Sequence, residues 1–169
     1  MGLSIGLFSL ALSALLIFIS NKLFIRKKII DQINNRSSHK VTATRSGGIA
    51  IYTSIFIITF LNYVTENTLF DYSLLVPLGL LVSIGLYDDI FNIDFKLKFI
   101  FQVIAAKIIV DTGLLIDNFH GVFGIFEINR VFAQFLTIFI IISIINSINF
   151  IDGIDGLAIS VFSVFIIAF

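Results

Sequence analysis

The feature that most limits what this chain can fold into is a series of apolar blocks, most of them close to the length that crosses a bilayer. They cover 3–25, 47–64, 72–87, 97–116, 131–148 and 157–169. A hydrocarbon core of about 30 Å takes roughly 20 helical residues, and in lipid each backbone N–H and C=O must find its partner inside the segment, so these blocks are read as helices. The rest of the composition agrees. Of 169 residues, 58% are hydrophobic and 13% charged, whereas a soluble domain shows far more charge to water. The expected fold is an all-α, polytopic transmembrane helix bundle forming a single membrane domain, with five complete spans and a sixth that is cut short. At about 1.5 Å per residue, 157–169 reaches only about 20 Å, so the chain is expected to be a truncated or fragmentary product.

Charge order orients the bundle. No basic residue precedes the first block and Arg26, Lys27 and Lys28 follow it, which argues against a cleavable leader and for an anchor with its N-terminus outside. Arg26, Lys27, Lys28, Arg36, Lys40 and Arg45 fall in one connection, Lys96 and Lys98 in another, and only Arg130 in those opposite. By the positive-inside rule the 26–46, 88–98 and 149–156 segments all open on the cytoplasmic face. Several classes drop out. Without Cys there is no disulfide, thiolate nucleophile or zinc–thiolate site. Eleven basic residues balance eleven acidic ones, and nothing resembles the basic face that nucleic acid requires. No Ser-His-Asp arrangement, Walker loop or dinucleotide fingerprint occurs.

Chemistry concentrates in three segments on the inferred cytoplasmic face. Asp88 and Asp89 stand together where the third block meets its loop. Carboxylates so near hydrocarbon need water, a partner or a cation, and two adjacent ones invite a divalent metal; the plainer reading is a helix boundary. The stretch 146–157 places Asn146, Asn149, Asp152 and Asp155 at every third position, a single polar strip on a helix, with two Asp-Gly pairs that break it. Amides and carboxylates in such a turn can read the edge of a base or sugar, although Asp155 alone also suits a helix N-cap. The stretch 36–48 is basic and ends in Gly47-Gly48, suited to phosphate or to anionic lipid headgroups. Together they describe metal-assisted phosphoryl transfer at a membrane surface. Lys107 and Asp111, four apart, are expected to pair within their helix. The mixed segment 117–130 is expected to be a loop or small hairpin on the outer face, with no catalytic role for His120 or Glu127.

Taken in order, Arg36-Ser37-Ser38-His39 with Arg45-Ser46-Gly47-Gly48, then Asp88-Asp89-Ile90-Phe91-Asn92-Ile93 with Lys98 and Gln102, then 146–157 resemble the polyprenyl-phosphate N-acetylhexosamine-1-phosphate transferases, also called glycosyl transferase family 4. The last segment follows the family's Asn-x-x-Asn-x-x-Asp-Gly-x-Asp-Gly pattern and is the most specific. The resemblance spans roughly 20–169, the first half of a family member. It implies transfer of a sugar-1-phosphate from a UDP-N-acetylhexosamine to a polyprenyl phosphate such as undecaprenyl phosphate, releasing UMP, as a first step of cell-envelope glycan synthesis in a bacterial inner membrane. It implies Mg²⁺, with Mn²⁺ as the alternative, held provisionally by Asp88 and Asp89 and by a further Asp downstream of 169. Asp88, Asp89 and Asp152 are the implied catalytic residues; Lys40, Arg45, Lys98, Asn149 and Asp155 are implied to bind substrate. Membrane lipids are further partners, and a homodimer is left open. The chain departs from the family in carrying Thr42 and Thr44 where Pro is usual. A non-catalytic membrane scaffold or an ion-coupled transporter fragment is the competing reading; a transporter is expected to hold its charges near the bilayer midplane.

Overall fold

The computed structural model describes residues 2–29, 44, 46–65, 72–151, 160, 161, 163 and 164. These residues are overwhelmingly helical: α1 (Gly2–Arg26), α2 (Gly47–Val64), a 3₁₀ turn (Tyr72–Leu74) leading into α3 (Leu75–Phe91), α4 (Phe95–Asp111) and α5 (Arg130–Ile151). The chain divides into two compact units. The first holds α1, α2, α3 and α4 as far as Ala105; the second holds α4 from Ala106, the connection that follows it, and α5.

Burial is the reverse of a soluble fold. Ser20, Ser46, Ser54, Thr59, Asn62, Gln102 and Thr137 are buried, as are Ala50, Ala105, Ala106 and Ala133, while Phe8, Leu10, Phe18, Phe60, Phe135 and Phe139 are more than half exposed. Small and polar side chains belong at helix contacts within a bilayer, where lipid accepts the large apolar ones. Among the described residues, four helices are long and apolar enough to cross: 5–26, 47–64, 72–91 and 130–150. The protein is an all-α integral membrane protein.

Polar residues inside these helices are satisfied locally. The Ser9, Ser13 and Ser20 hydroxyls donate to the carbonyls of Gly6, Leu10 and Ile17, and the Asn62 amide to that of Ile58, which removes the cost of an orphaned donor in lipid. In the first unit α1 packs along α2, and α2 against α3. The second contact is close because of Gly79: a Cβ there would stand 2.5 Å from the Tyr52 hydroxyl, which donates to the Leu75 carbonyl at 3.2 Å. Tyr63 and Tyr72 meet edge to face, 5.4 Å between centroids, beside this contact.

Helix ends are set by backbone geometry more than by charge. At the end of α1, Lys28 turns left-handed at φ 58, and the N–H groups of Lys28 and Ile29 bond back to Ile25 and Phe24, a Schellman closure. The basic residues around it complement the negative end of the helix. The third apolar block was expected to stop at Tyr87; α3 instead continues through Asp88 and Asp89 to Phe91, with the Tyr87 and Phe91 rings 4.6 Å apart one turn on. The fourth was expected over 97–116, whereas α4 stops at Asp111, because Gly113 at φ 105 diverts the chain after Thr112 and Gly113 have closed the last turn. At 17 residues α4 spans about 26 Å, and it is not among the four long apolar helices. The fifth block, expected over 131–148, is helical from Arg130 to Ile151, so Asn146 and Asn149 lie within α5. Most of the sixth block lies outside the described residues.

The expected hairpin is present. Asn118 and Glu127 bridge in antiparallel fashion, and Phe119 N–H donates to Phe126 O at 2.7 Å. A 3₁₀ turn at Val122–Gly124 closes its tip. Lys107 and Asp111 form the expected pair.

Candidate active site at the α3–α4 turn

Asp88 and Asp89 occupy the last turn of α3, where the helix dipole is negative. Acids are disfavoured there by some tenths of a kcal/mol to about 1 kcal/mol each, so their position calls for a counter-charge. The turn supplies one. Asn92 takes the left-handed conformation (φ 49, ψ 65) and its N–H closes on the Asp88 carbonyl at 2.8 Å; Asn tolerates that region because its side chain is short and polar. Two residues later Asp94 opens α4. Its carbonyl receives the N–H groups of Leu97 and Lys98, and its carboxylate receives that of Lys96. This reversal brings the first turn of α4 beside the last turn of α3, and Lys98 Nζ donates to Asp88 Oδ2 at 2.9 Å.

Both side chains of that pair are about one quarter exposed, so the ammonium and carboxylate are partly shielded yet within reach of a ligand. Asp89 is half-buried on the neighbouring face, about 100° round the helix. Gln102, one turn beyond Lys98, is 2% exposed. Asp94 and Asn92 are the residues that sequence reasoning left without roles; the alternation of an αL-tolerant Asn and an N-capping Asp between two helices was the available signal.

The end of the basic segment is visible at Thr44 and Ser46. Thr44 Oγ1 donates to Asn21 Oδ1 at 2.7 Å, so its proton is committed and the Ser46 hydroxyl, 2.9 Å away, is the donor to Thr44. Ser46 stands at the N-cap of α2 yet makes no side-chain cap. Thr44, at a position where Pro was expected, thus ties the entry of α2 to the end of α1 by side-chain hydrogen bonds. Asn149 is exposed near the end of α5, and Asn146, half-buried one turn before, donates to Ile142 O at 2.9 Å. Asn149 belongs to the second unit and Asp88, Asp89 and Lys98 to the first. Lys40, Arg45, Asp152 and Asp155 lie outside the described residues.

A metal is tested by the donors present. Among the described residues no three His, Cys, Asp or Glu side chains gather into a complete shell. Two adjacent, part-buried carboxylates do suit a hard cation that takes one or two protein oxygens and completes its sphere with phosphate and water, as Mg²⁺ does.

These features define a class: an integral membrane protein with a charged, solvent-reachable site where two helices meet at their ends. Comparison with known proteins is specific. Residues 71–169 match the model of glycosyl transferase family 4. A probable undecaprenyl-phosphate N-acetylglucosaminyl 1-phosphate transferase of Bacillus subtilis (strain 168) is 33% identical over 101 residues, 60% of this chain and 28% of that relative. An undecaprenyl-phosphate alpha-N-acetylglucosaminyl 1-phosphate transferase of Salmonella typhi is 32% identical over 115 residues, 66% of this chain and 30% of the relative. The matched stretch thus covers under a third of either relative's length. No solved structure matches the chain. The chain belongs to glycosyl transferase family 4.

Proposed function

We propose that the protein, at the length its relatives have, transfers a sugar-1-phosphate from a UDP-N-acetylhexosamine to undecaprenyl phosphate and releases UMP. The observation that carries the reading is the Asp88–Lys98 pair beside Asp89 on the α3–α4 turn, inside the stretch that matches the family. A phosphate oxygen of the lipid attacks the β-phosphorus of the nucleotide sugar, and the bond to the UMP oxygen breaks. The attacking group is already anionic, so the protein's tasks are alignment and charge neutralisation. In this reading Lys98 would exchange Asp88 for a substrate phosphate, and Asp88 and Asp89 would hold Mg²⁺, which would neutralise pyrophosphate charge. Lys40 and Arg45 add positive charge, Asp152 joins the catalytic acids, and Asn149 and Asp155 face the nucleotide-sugar side in this reading.

The setting is a bacterial inner membrane, with the N-terminus outside and the 26–46, 88–98 and 149–156 segments cytoplasmic. Acids in the last turn of α3 favour this over ion-coupled transport, which places charges at mid-membrane. The test is UMP release in proteoliposomes. It is expected only with UDP-N-acetylhexosamine, undecaprenyl phosphate and Mg²⁺ together; UMP release that ignores the lipid phosphate would contradict the proposal.

A further inference from the structure

We infer that the hairpin between α4 and α5 is an amphipathic ribbon that docks on the bilayer, with its apolar side seated among the lipid headgroups at the membrane surface where α5 begins. The alternation of side chains along paired strands gives the hairpin two faces. With Asn118 bridged to Glu127 and Phe119 bonded to Phe126, one face carries Phe119, Phe126 and Ile128 with Asp117 at its root, and the other Asn118, His120 and Glu127 with Ile125.

The turn adds exposed apolar surface. Val122 is 57% exposed, Phe126 64% and Phe123 93%. Phe123 is also held left-handed at φ 55, a conformation that is costly for a bulky residue and is usually left to glycine. Gly121 and Gly124 beside it take positive φ as well. A chain that places a Phe in this setting, fully outward, does so against both backbone preference and hydration, unless the ring has an apolar medium to enter.

Backbone satisfaction permits that medium. Within the ribbon the N–H groups of Phe119, Gly121, Val122, Gly124, Ile125 and Ile128 all donate to carbonyls of the same hairpin, so little desolvation cost remains on entering the interface. Position is fixed by a tether at its root. Ile116 N–H donates to Thr137 Oγ1 at 3.0 Å, and the Thr137 hydroxyl in turn donates to Ala133 O. Thr137 lies two turns inside α5, roughly 10 Å along its axis from Arg130. Ile128, whose N–H donates to the Asp117 carbonyl, is two residues from Arg130, so the paired root of the ribbon lies within about 7 Å of the level at which α5 starts. The span 130–150 has 21 residues, about 31 Å, and fills the hydrocarbon core, which leaves the ribbon at headgroup depth. Asp117, exposed at the root, bars deeper burial and keeps the ribbon flat on the surface, its polar face to water, as amphipathic interfacial elements lie.

The chain contains no Trp and no Cys, so single reporters read the ribbon directly, and no transfer activity is needed. Phe123→Trp, Phe126→Trp, His120→Trp and Glu127→Trp are each reconstituted in phosphatidylethanolamine–phosphatidylglycerol vesicles. Blue-shifted emission at 123 and 126, quenched more by headgroup-level nitroxide lipids than by chain-end ones, with emission at 120 and 127 quenched by aqueous iodide, is the expected result. Iodide quenching of all four alike overturns the assignment. So does blue-shifted emission at 123 and 126 that lipid nitroxides do not reach, because protein then covers that face.

Discussion

Asp88 is a carboxylate at the wrong end of a helix by the rule of the helix dipole, and the structure compensates it with Lys98. The same contact sets a competition, since a divalent cation at Asp88 must displace or repel the ammonium. Lys98→Met is therefore expected to tighten Mn²⁺ binding to the chain about two- to five-fold, the scale of one partly exposed ion pair at about 0.5–1 kcal/mol, measured by electron paramagnetic resonance titration. Unchanged or weaker Mn²⁺ binding in that variant would mean that the pair is not the metal's ground. The types of residue at this site were legible in the sequence, because two acids and a lysine beside hydrocarbon have few idle uses. Their pairing was not, since it depends on Asn92 adopting the left-handed conformation, and a tolerance for φ > 0 is not a requirement for it.

At the scale of elements, hydropathy located the helices well where lipid alone decides, and less well where backbone geometry does. α2 coincides with its apolar block. α3 outran its block because two carboxylates lower hydropathy without breaking a helix, and α4 fell short because Gly113 breaks it while Leu114 and Ile116 keep hydropathy high. Packing of α2 on α3 rests on the absence of a side chain at Gly79. Gly79→Ala is expected to destabilise the protein by about 1–3 kcal/mol, as overpacking of a tight contact does. Because the clashing atom is the Tyr52 hydroxyl, Tyr52→Phe should recover part of that loss in the double variant, at the cost of one hydrogen bond. Thermal unfolding in detergent, run as a double-mutant cycle, reads the coupling; strictly additive losses would place the Gly79 effect elsewhere.

At the scale of the molecule, the proposed transfer requires the three polar segments to share one membrane face, which in turn requires α4 to cross despite its 17 residues. Single cysteines in this cysteine-free chain test that. Ser38→Cys and Lys96→Cys are expected to react with an impermeant maleimide only from the cytoplasmic side, and Asn67→Cys and His120→Cys only from the other. Reaction of Lys96→Cys and His120→Cys from the same side would show that α4 does not cross.

The proposed transfer rests first on Asp88. UMP release from UDP-N-acetylglucosamine with undecaprenyl phosphate, compared between the wild-type protein at the length of its relatives and its Asp88→Asn variant, tests it most directly. A fall of about 10²-fold or more in rate, with the protein still folded and membrane-inserted, is the result predicted for loss of a charge placed at the reacting phosphates. Transfer by Asp88→Asn at the wild-type rate would contradict it.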